Sequence, residues 1–160
     1  MHGAVVRLLV AAVVIISAPA LQTRQGAPAA RALRGGVEDP AFVVIVNKAN
    51  PVKTLALTEL RRIFMKQTRM WPHAESIVPV DWDATSPVRE AFSRQVLART
   101  VREMSDYWVQ QSVTQGLTPP STQRSSRALL RFVASVAGAI GYLPVGEADA
   151  TVSVIKITGL

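Results

Sequence analysis

A continuous run of β-branched and aromatic residues, FVVIVN at Phe42–Asn47, constrains the fold more than any other stretch of this sequence. A strand with one face in water alternates apolar and polar side chains, whereas this run is apolar at every position before its final asparagine. The pattern therefore predicts a strand buried on both faces, in a sheet that helices cover. Such a sheet is typical of an α/β domain.

Helix and strand signals alternate after this strand. Residues 58–66 carry apolar side chains on one face and predict a short helix with Thr58 as its cap. Residues 76–80, SIVPV, predict a second strand, and Pro79 places that strand at a sheet edge or near a strand end. The intervening QTRMWPH is predicted to be a loop.

The second half of the chain predicts three more helices. Ser86 and Pro87 have the chemistry of an N-cap and first helical residue, because proline loses nothing where an amide has no helical partner. Thr100 and Glu103 form the signature of a capping box. The last helix and the strands after it are indicated by Leu129, Phe132, Val133 and Val136, by Gly138 near the helix end, and by AIGYLP and TVSVIKI.

The N-terminal residues predict export. Arg7 precedes the uncharged run of residues 8–18, and Ala18-Pro19-Ala20 resembles the cleavage site of a secretory signal. A single membrane anchor is the alternative interpretation, but a spanning helix needs about 20 apolar residues and this run is shorter. We therefore predict a signal peptide over residues 1–20.

One domain of ordinary size fits the remaining residues. Residues 21–40, rich in Ala, Gly, Pro and Arg, predict a flexible linker, and residues 41–160 an exported domain. The sequence has no cysteine, which excludes a lipid-anchored export signal and requires folding without disulfides. The predicted location is periplasmic or secreted, with no stable membrane insertion after signal cleavage.

Charge and composition restrict the function classes. The formal net charge is +7, but arginines and lysines are scattered and no basic run is interleaved with aromatic residues. This favours a solvated basic surface over a nucleic-acid partner. Once the signal is removed, His73 is the one histidine left, which argues against a zinc site or a Cys-His nucleophile. We predict a non-enzymatic domain without metal or cofactor.

Four segments of the chain, in order, resemble the phosphate-binding protein family of ABC transporters. They are FVVIVNKANPV, LTELRRIFMKQTRMWP, IVPVDWDATSPVREAF and GAIGYLP. The resemblance implies a type II periplasmic-binding-protein fold, in which helices flank a central sheet. Members of that family have two lobes that close on an oxyanion, and the first lobe carries an earlier Gly-rich anion loop. This chain has no such loop, and its length allows only one lobe. It therefore resembles a single-lobe relative.

The resemblance also places a candidate site in DWDATSPVREAF. The family has Ser-Gly-Thr at a helix N-terminus, where unpaired amides and the helix dipole hold phosphate. Ser86 matches the serine, but Pro87 and Val88 replace the glycine and threonine, which removes one amide donor and one hydroxyl. The upstream arginine of the family is replaced around Trp82, between two aspartates that would repel an anion. Arg89, in the first turn, offers a compensating charge suited to phosphate.

Two interpretations of this segment follow. In the first, Thr85, Ser86 and Arg89 bind phosphate or another small oxyanion, and a homodimer or an envelope protein completes the cleft that one lobe cannot enclose. In the second, Ser86 only caps its helix and Arg89 pairs with a nearby carboxylate. Trp82 is predicted to be an exposed contact residue.

The predicted function is an exported, non-enzymatic binding module connected with ABC-type phosphate uptake. The alternative is a ligand-free interaction or scaffold domain of an envelope or signalling complex.

Overall fold

The computed structural model describes residues 41–160, which form a mixed six-stranded sheet flanked by four helices. The elements are β1 (Phe42–Asn47), β2 (Thr54–Ala56), α1 (Leu57–Phe64), β3 (Val78–Trp82), α2 (Pro87–Gln95), α3 (Val101–Gln115), β4 (Ser121–Gln123), α4 (Ser126–Ser135), β5 (Ala139–Pro144) and β6 (Val152–Thr158). The predicted signal peptide at 1–20 and linker at 21–40 lie outside the described residues. Within 41–160, no helix combines the length and the apolar character needed to cross a membrane.

The strands lie in the order β2-β6-β1-β5-β3-β4. β1 pairs antiparallel with β5 and β6 at the centre of the sheet, whereas β3 pairs parallel with both β5 and β4. The carboxyl ends of β3, β4 and β5 therefore meet at one edge of the sheet. Ligands of open α/β sheets bind outside the carboxyl ends of strands, so this edge is the first place to look for a site.

Both faces of β1 are covered, as its sequence predicts. On one face Phe42 packs edge-on against Phe92 of α2 and against Tyr142 of β5. On the other face the side-chain amide of Asn47 donates to the carbonyl of Val133 in α4, at 2.9 Å. Successive side chains of a strand point to opposite faces, which is why an uninterrupted apolar run fits this two-sided burial. The α/β architecture with a helix-flanked sheet is confirmed.

Several element boundaries differ from those predicted. α1 begins at Leu57 after the cap residue Ala56, with no side-chain capping bond, so Thr58 lies inside the helix and is not its cap. β3 is displaced by two residues from the predicted 76–80. It lies inside the sheet, but β4 pairs with it only from Val80 onward, so the missing amide of Pro79 costs no bond on that side.

Two short strands were not predicted. β2 and β4 have three residues each and form the two edges of the sheet. Their side chains are exposed or half-buried, so neither strand shows the apolar alternation that identifies a strand in sequence.

Gly138 has a different role from the predicted helix C-cap. α4 ends at Ser135, and its cap residue Val136 has an extended conformation. A Cβ atom on Gly138 would overlap the backbone oxygen of Ser76. The glycine therefore permits a close approach of two backbones. Its own carbonyl accepts the indole N–H of Trp71 at 3.0 Å.

The predicted capping box of α3 is confirmed. The amide of Glu103 donates to the Thr100 hydroxyl at 3.2 Å, and the amide of Thr100 donates to the Glu103 carboxylate at 2.7 Å. These hydrogen bonds from Thr100 lower the pKa of Glu103. The box satisfies two helix amides that would otherwise lack partners.

Replacing Thr100 by alanine is expected to lower the free energy of unfolding by about 1 kcal/mol at neutral pH. Because the folded-state pKa of Glu103 is depressed, its contribution is present above the unfolded pKa and is lost as pH falls through the folded value. The difference between wild type and variant should therefore shrink as pH falls below about 4. Urea denaturation at several pH values measures this, and a difference that grows on acidification would contradict it.

Candidate anion-binding cleft

Two helices begin at the sheet edge where β3, β4 and β5 end. A cavity of about 510 Å³ is lined by Ser86 and Pro87 at the start of α2 and by Ser125 and Ser126 at the start of α4. A second cavity of about 470 Å³ shares Ser86 and Pro87 and adds Thr85 and Arg124. We call these two cavities the cleft. Helix N-termini carry unpaired amides and a partial positive charge, so two of them at one cavity favour an anion.

Thr85 is exposed, and its hydroxyl is already engaged. Both the hydroxyl and the amide of Thr85 donate to the Asp83 carboxylate, at 2.8 and 3.1 Å. These bonds, the hydroxyl bond foremost, lower the pKa of Asp83. The turn that leads into α2 is thus organised around an ionised carboxylate, and Thr85 serves first to hold that turn.

Ser86 is the N-cap residue of α2, as predicted, and Pro87 is the first helical residue. The Ser86 hydroxyl makes no capping bond to the helix. The residue is half-buried and lines both cavities, so the oxygen stays available for a ligand. Of the three predicted anion ligands, Ser86 is the one whose position and free hydroxyl best suit that role.

Arg89 forms a buried ion pair with Asp81 at the end of β3. The arginine is 8% exposed and the aspartate 3%. Burial lowers the pKa of Arg89. The second Asp81 oxygen accepts the hydroxyl of Tyr142 and, at 2.8 Å, the amide of Trp82. This is the arrangement of the second interpretation, in which Arg89 pairs with a carboxylate, and Arg89 does not line either cavity of the cleft.

Trp82 is buried, so the expectation of an exposed indole is wrong. It is the last residue of β3 and is 6% exposed. Its indole N–H donates to the carbonyl of Tyr142 at 2.7 Å, which fixes the ring on the neighbouring strand. The sequence placed Trp82 in a loop because the predicted strand ended two residues too early. Its ring forms a wall of the cleft instead.

Four polar residues of the cleft, Arg124, Ser125, Ser126 and Glu147, were not identified by the sequence analysis. Arg124 is 89% exposed at its side chain, and its Nε lies 3.6 Å from a carboxylate oxygen of Asp83. Ser126 donates to the Glu147 carboxylate. These residues follow β4 and β5 and reach the cleft through the parallel pairing of the strands. The one local signal in the sequence was the pair Ser125-Ser126 before an apolar helical pattern, which is typical of a helix N-terminus.

Within residues 41–160, His, Asp and Glu side chains form no cluster that could hold a metal ion.

Several known structures with a similar fold are of phosphate-transport or phosphate-binding proteins. The chain superposes on an ABC-type phosphate transport receptor from Vibrio cholerae with a TM-score of 0.60 and 20% identity, covering 75% of this chain and 47% of that one. A protein from Clostridium perfringens, assigned as a phosphate ABC transporter substrate-binding protein and solved with bound phosphate, gives a TM-score of 0.60 and 26% identity over 75% of this chain and 46% of its own. The domain has the fold of phosphate substrate-binding proteins.

PstS from Borrelia burgdorferi has a similar fold, with a TM-score of 0.57 and 11% identity over 74% of this chain and 47% of that chain. This chain thus spans about half the length of the proteins it matches. No protein-family model and no curated protein matches the sequence. The resemblance seen in the sequence segments is confirmed at the level of the fold.

Proposed function

We propose that the domain is an exported, non-enzymatic binding module that holds a small oxyanion, with phosphate as the first candidate, in the cleft around Ser86. The observation that carries this proposal is the convergence of two helix N-termini on one cavity, at the sheet edge where β3, β4 and β5 end. The choice of phosphate is supported by proteins of the same fold, one a phosphate transport receptor and one solved with bound phosphate.

The proposed donors differ from those predicted from the sequence. They are the Ser86 hydroxyl and those first-turn amides of α2 and α4 that have no other acceptor, and Arg124 supplies the positive charge. Pro87, the first residue of α2, has no amide hydrogen, and the Ala128 amide of α4 already donates to Ser125. Arg124 suits this role because its side chain is exposed and lies 3.6 Å from its carboxylate partner, so it can turn toward a ligand. Arg89 acts indirectly, by fixing the first turn of α2 on β3 through Asp81.

The two carboxylates at the cleft set a limit on affinity. Asp83 is held in its ionised form by Thr85, and Glu147 accepts from Ser126. Both repel an anion, and one lobe leaves the cleft open to water. We therefore propose that a second wall, from another copy or from an envelope protein, completes the site when it takes part in phosphate uptake.

Phosphate is expected to raise the melting temperature of the 160-residue chain, and sulfate, molybdate and chloride at equal ionic strength to raise it less. A ligand at 100 times its dissociation constant stabilises the folded state by about 2.7 kcal/mol, so the shift should grow with concentration. Ser86→Ala and Arg124→Gln should each reduce the phosphate-induced shift, measured against the ligand-free value of the same variant.

Ser105→Ala on α3 and Arg131→Gln in the second half of α4 are the matched controls, since both residues are exposed and neither lines the cleft. They should leave the shift unchanged. An equal, small response to all four salts would reject the anion site and favour the interaction-domain alternative. A shift that survives in both Ser86→Ala and Arg124→Gln would place the anion elsewhere.

A further inference from the structure

A separate cavity of about 450 Å³ lies beside the loop that follows α1. Its polar lining consists of two cations, Lys66 and Arg69, and the hydroxyl residues Thr68, Ser76 and Thr118. It shares no lining residue with the cleft around Ser86. The chemistry of this lining is that of an anion site with hydroxyl donors.

The two cations have no carboxylate partner. Within the part of the chain that the structure describes, no Asp or Glu oxygen lies within 4.0 Å of Lys66 or Arg69. The Lys66 ammonium donates to the carbonyl of Pro119 at 3.3 Å, and Nε of Arg69 donates to the carbonyl of Lys66 at 3.2 Å. These bonds orient the two side chains but neutralise neither. Burial and the positive charge of Arg69 lower the pKa of Lys66.

The backbone at Lys66 is also unusual. Its φ of 55° lies in the left-handed region, just after the cap residue Met65 of α1. Helices that end in this way usually place glycine at this position, because a side chain there is strained. A lysine at a position that favours glycine brings a cation to the cavity at the expense of backbone strain.

An apolar groove adjoins the cationic cavity. It has a volume of about 440 Å³ and shares Ile63, Thr68, Met70 and Ile77 with that cavity. Its other walls include the apolar residues Val52, Leu55, Trp71 and Pro72, together with the polar residues Lys53, Thr54 and Glu59. Met70 belongs to both and is 51% exposed, and a flexible methionine adapts to an apolar ligand.

We propose that the cavity and the groove form one binding site for a small amphiphilic anion. Its carboxylate or phosphate group lies against Lys66 and Arg69, and its hydrocarbon chain lies in the groove along Met70 and Trp71. The planar guanidinium of Arg69 keeps donors free for two oxygens of such a head group. Charge complementarity selects an anion, and the apolar groove selects a ligand with a chain over inorganic phosphate.

The test uses decanoate as the probe and the ¹⁵N-labelled 160-residue chain. Decanoate below its micelle concentration should shift the amide signals of Thr68, Met70, Trp71 and Ile77. Decyltrimethylammonium, with the same chain and the opposite charge, and inorganic phosphate, with no chain, should shift them much less. Equal shifts with both amphiphiles would overturn the proposal, since the cations would then take no part.

Charge-removing variants test the same site. Arg69→Gln should raise the dissociation constant of decanoate roughly tenfold, because a hydrogen bond to a charged group is lost. Arg131→Gln, which removes an exposed arginine of α4, is the matched control and should leave it unchanged. Lys66→Met is the second variant in which the dissociation constant of decanoate is measured, in case Arg69→Gln lowers the stability of the fold. A dissociation constant unchanged in both Arg69→Gln and Lys66→Met would overturn the proposal.

Discussion

Replacing Asp81 by alanine is expected to lower the free energy of unfolding by about 3–5 kcal/mol, because removing one partner of a buried ion pair leaves the other charge uncompensated. Arg89 would keep its charge inside the protein, where its Nε already lacks a hydrogen-bond partner within the described residues. The hydroxyl of Tyr142 would lose its acceptor at the same time. Urea denaturation followed by circular dichroism measures the change.

Asp83→Ala is the matched control, because this carboxylate lies two residues further on and contacts exposed partners. Asp83→Ala should lower the free energy of unfolding by only a small fraction of the decrease expected for Asp81→Ala. The double variant Asp81→Leu/Arg89→Met should recover much of the lost stability, since apolar residues of similar volume replace a buried pair without a desolvation cost. Equal losses in Asp81→Ala and Asp83→Ala would contradict the ion pair as described.

The fold was predictable where burial leaves a pattern along the chain. The apolar run of β1, the start of α2 at Ser86-Pro87 and the Thr100-Glu103 capping box all depend on local chemistry, and the structure has each of them. β2 and β4 escaped prediction because short, exposed edge strands are held by partners that are distant in sequence. The strand order likewise depends on pairing, which periodicity does not encode.

The site was predictable only in part, for the same reason. The position of Ser86 at a helix N-terminus can be predicted from its neighbours in sequence, and in the structure Ser86 lines the cleft. Arg124 comes to the cleft only because β4 pairs with β3, so no local signal connects it with Ser86. Trp82 was misjudged in exposure because β3 extends two residues further than its pattern predicts, and its indole is held by Tyr142, on a strand sixty residues away in sequence. For Arg89 the sequence left two interpretations open, and the structure has the one in which it pairs with a carboxylate, that of Asp81.

Replacing Phe92 by alanine is expected to lower the free energy of unfolding by about 3–5 kcal/mol, as much as Asp81→Ala does, because the change leaves a large cavity in the core. Phe92 is fully buried, stacks on Tyr142 at a centroid distance of 3.8 Å, and contacts Phe64 at 4.6 Å and Phe42 at 5.2 Å. Phe92 therefore joins α2 to α1 and to the strands β1 and β5.

The matched control is Phe132→Ala on α4, where the ring is half-buried and the cost should be clearly smaller. Urea denaturation of both variants measures the difference, and an equal loss would contradict the role of Phe92 as the more deeply buried anchor of the core. Because α2 carries Ser86 at its N-terminus, loss of the Phe92 anchor should also reduce the phosphate-induced rise in melting temperature. A full phosphate response in Phe92→Ala would show that the position of α2 does not depend on its core contacts.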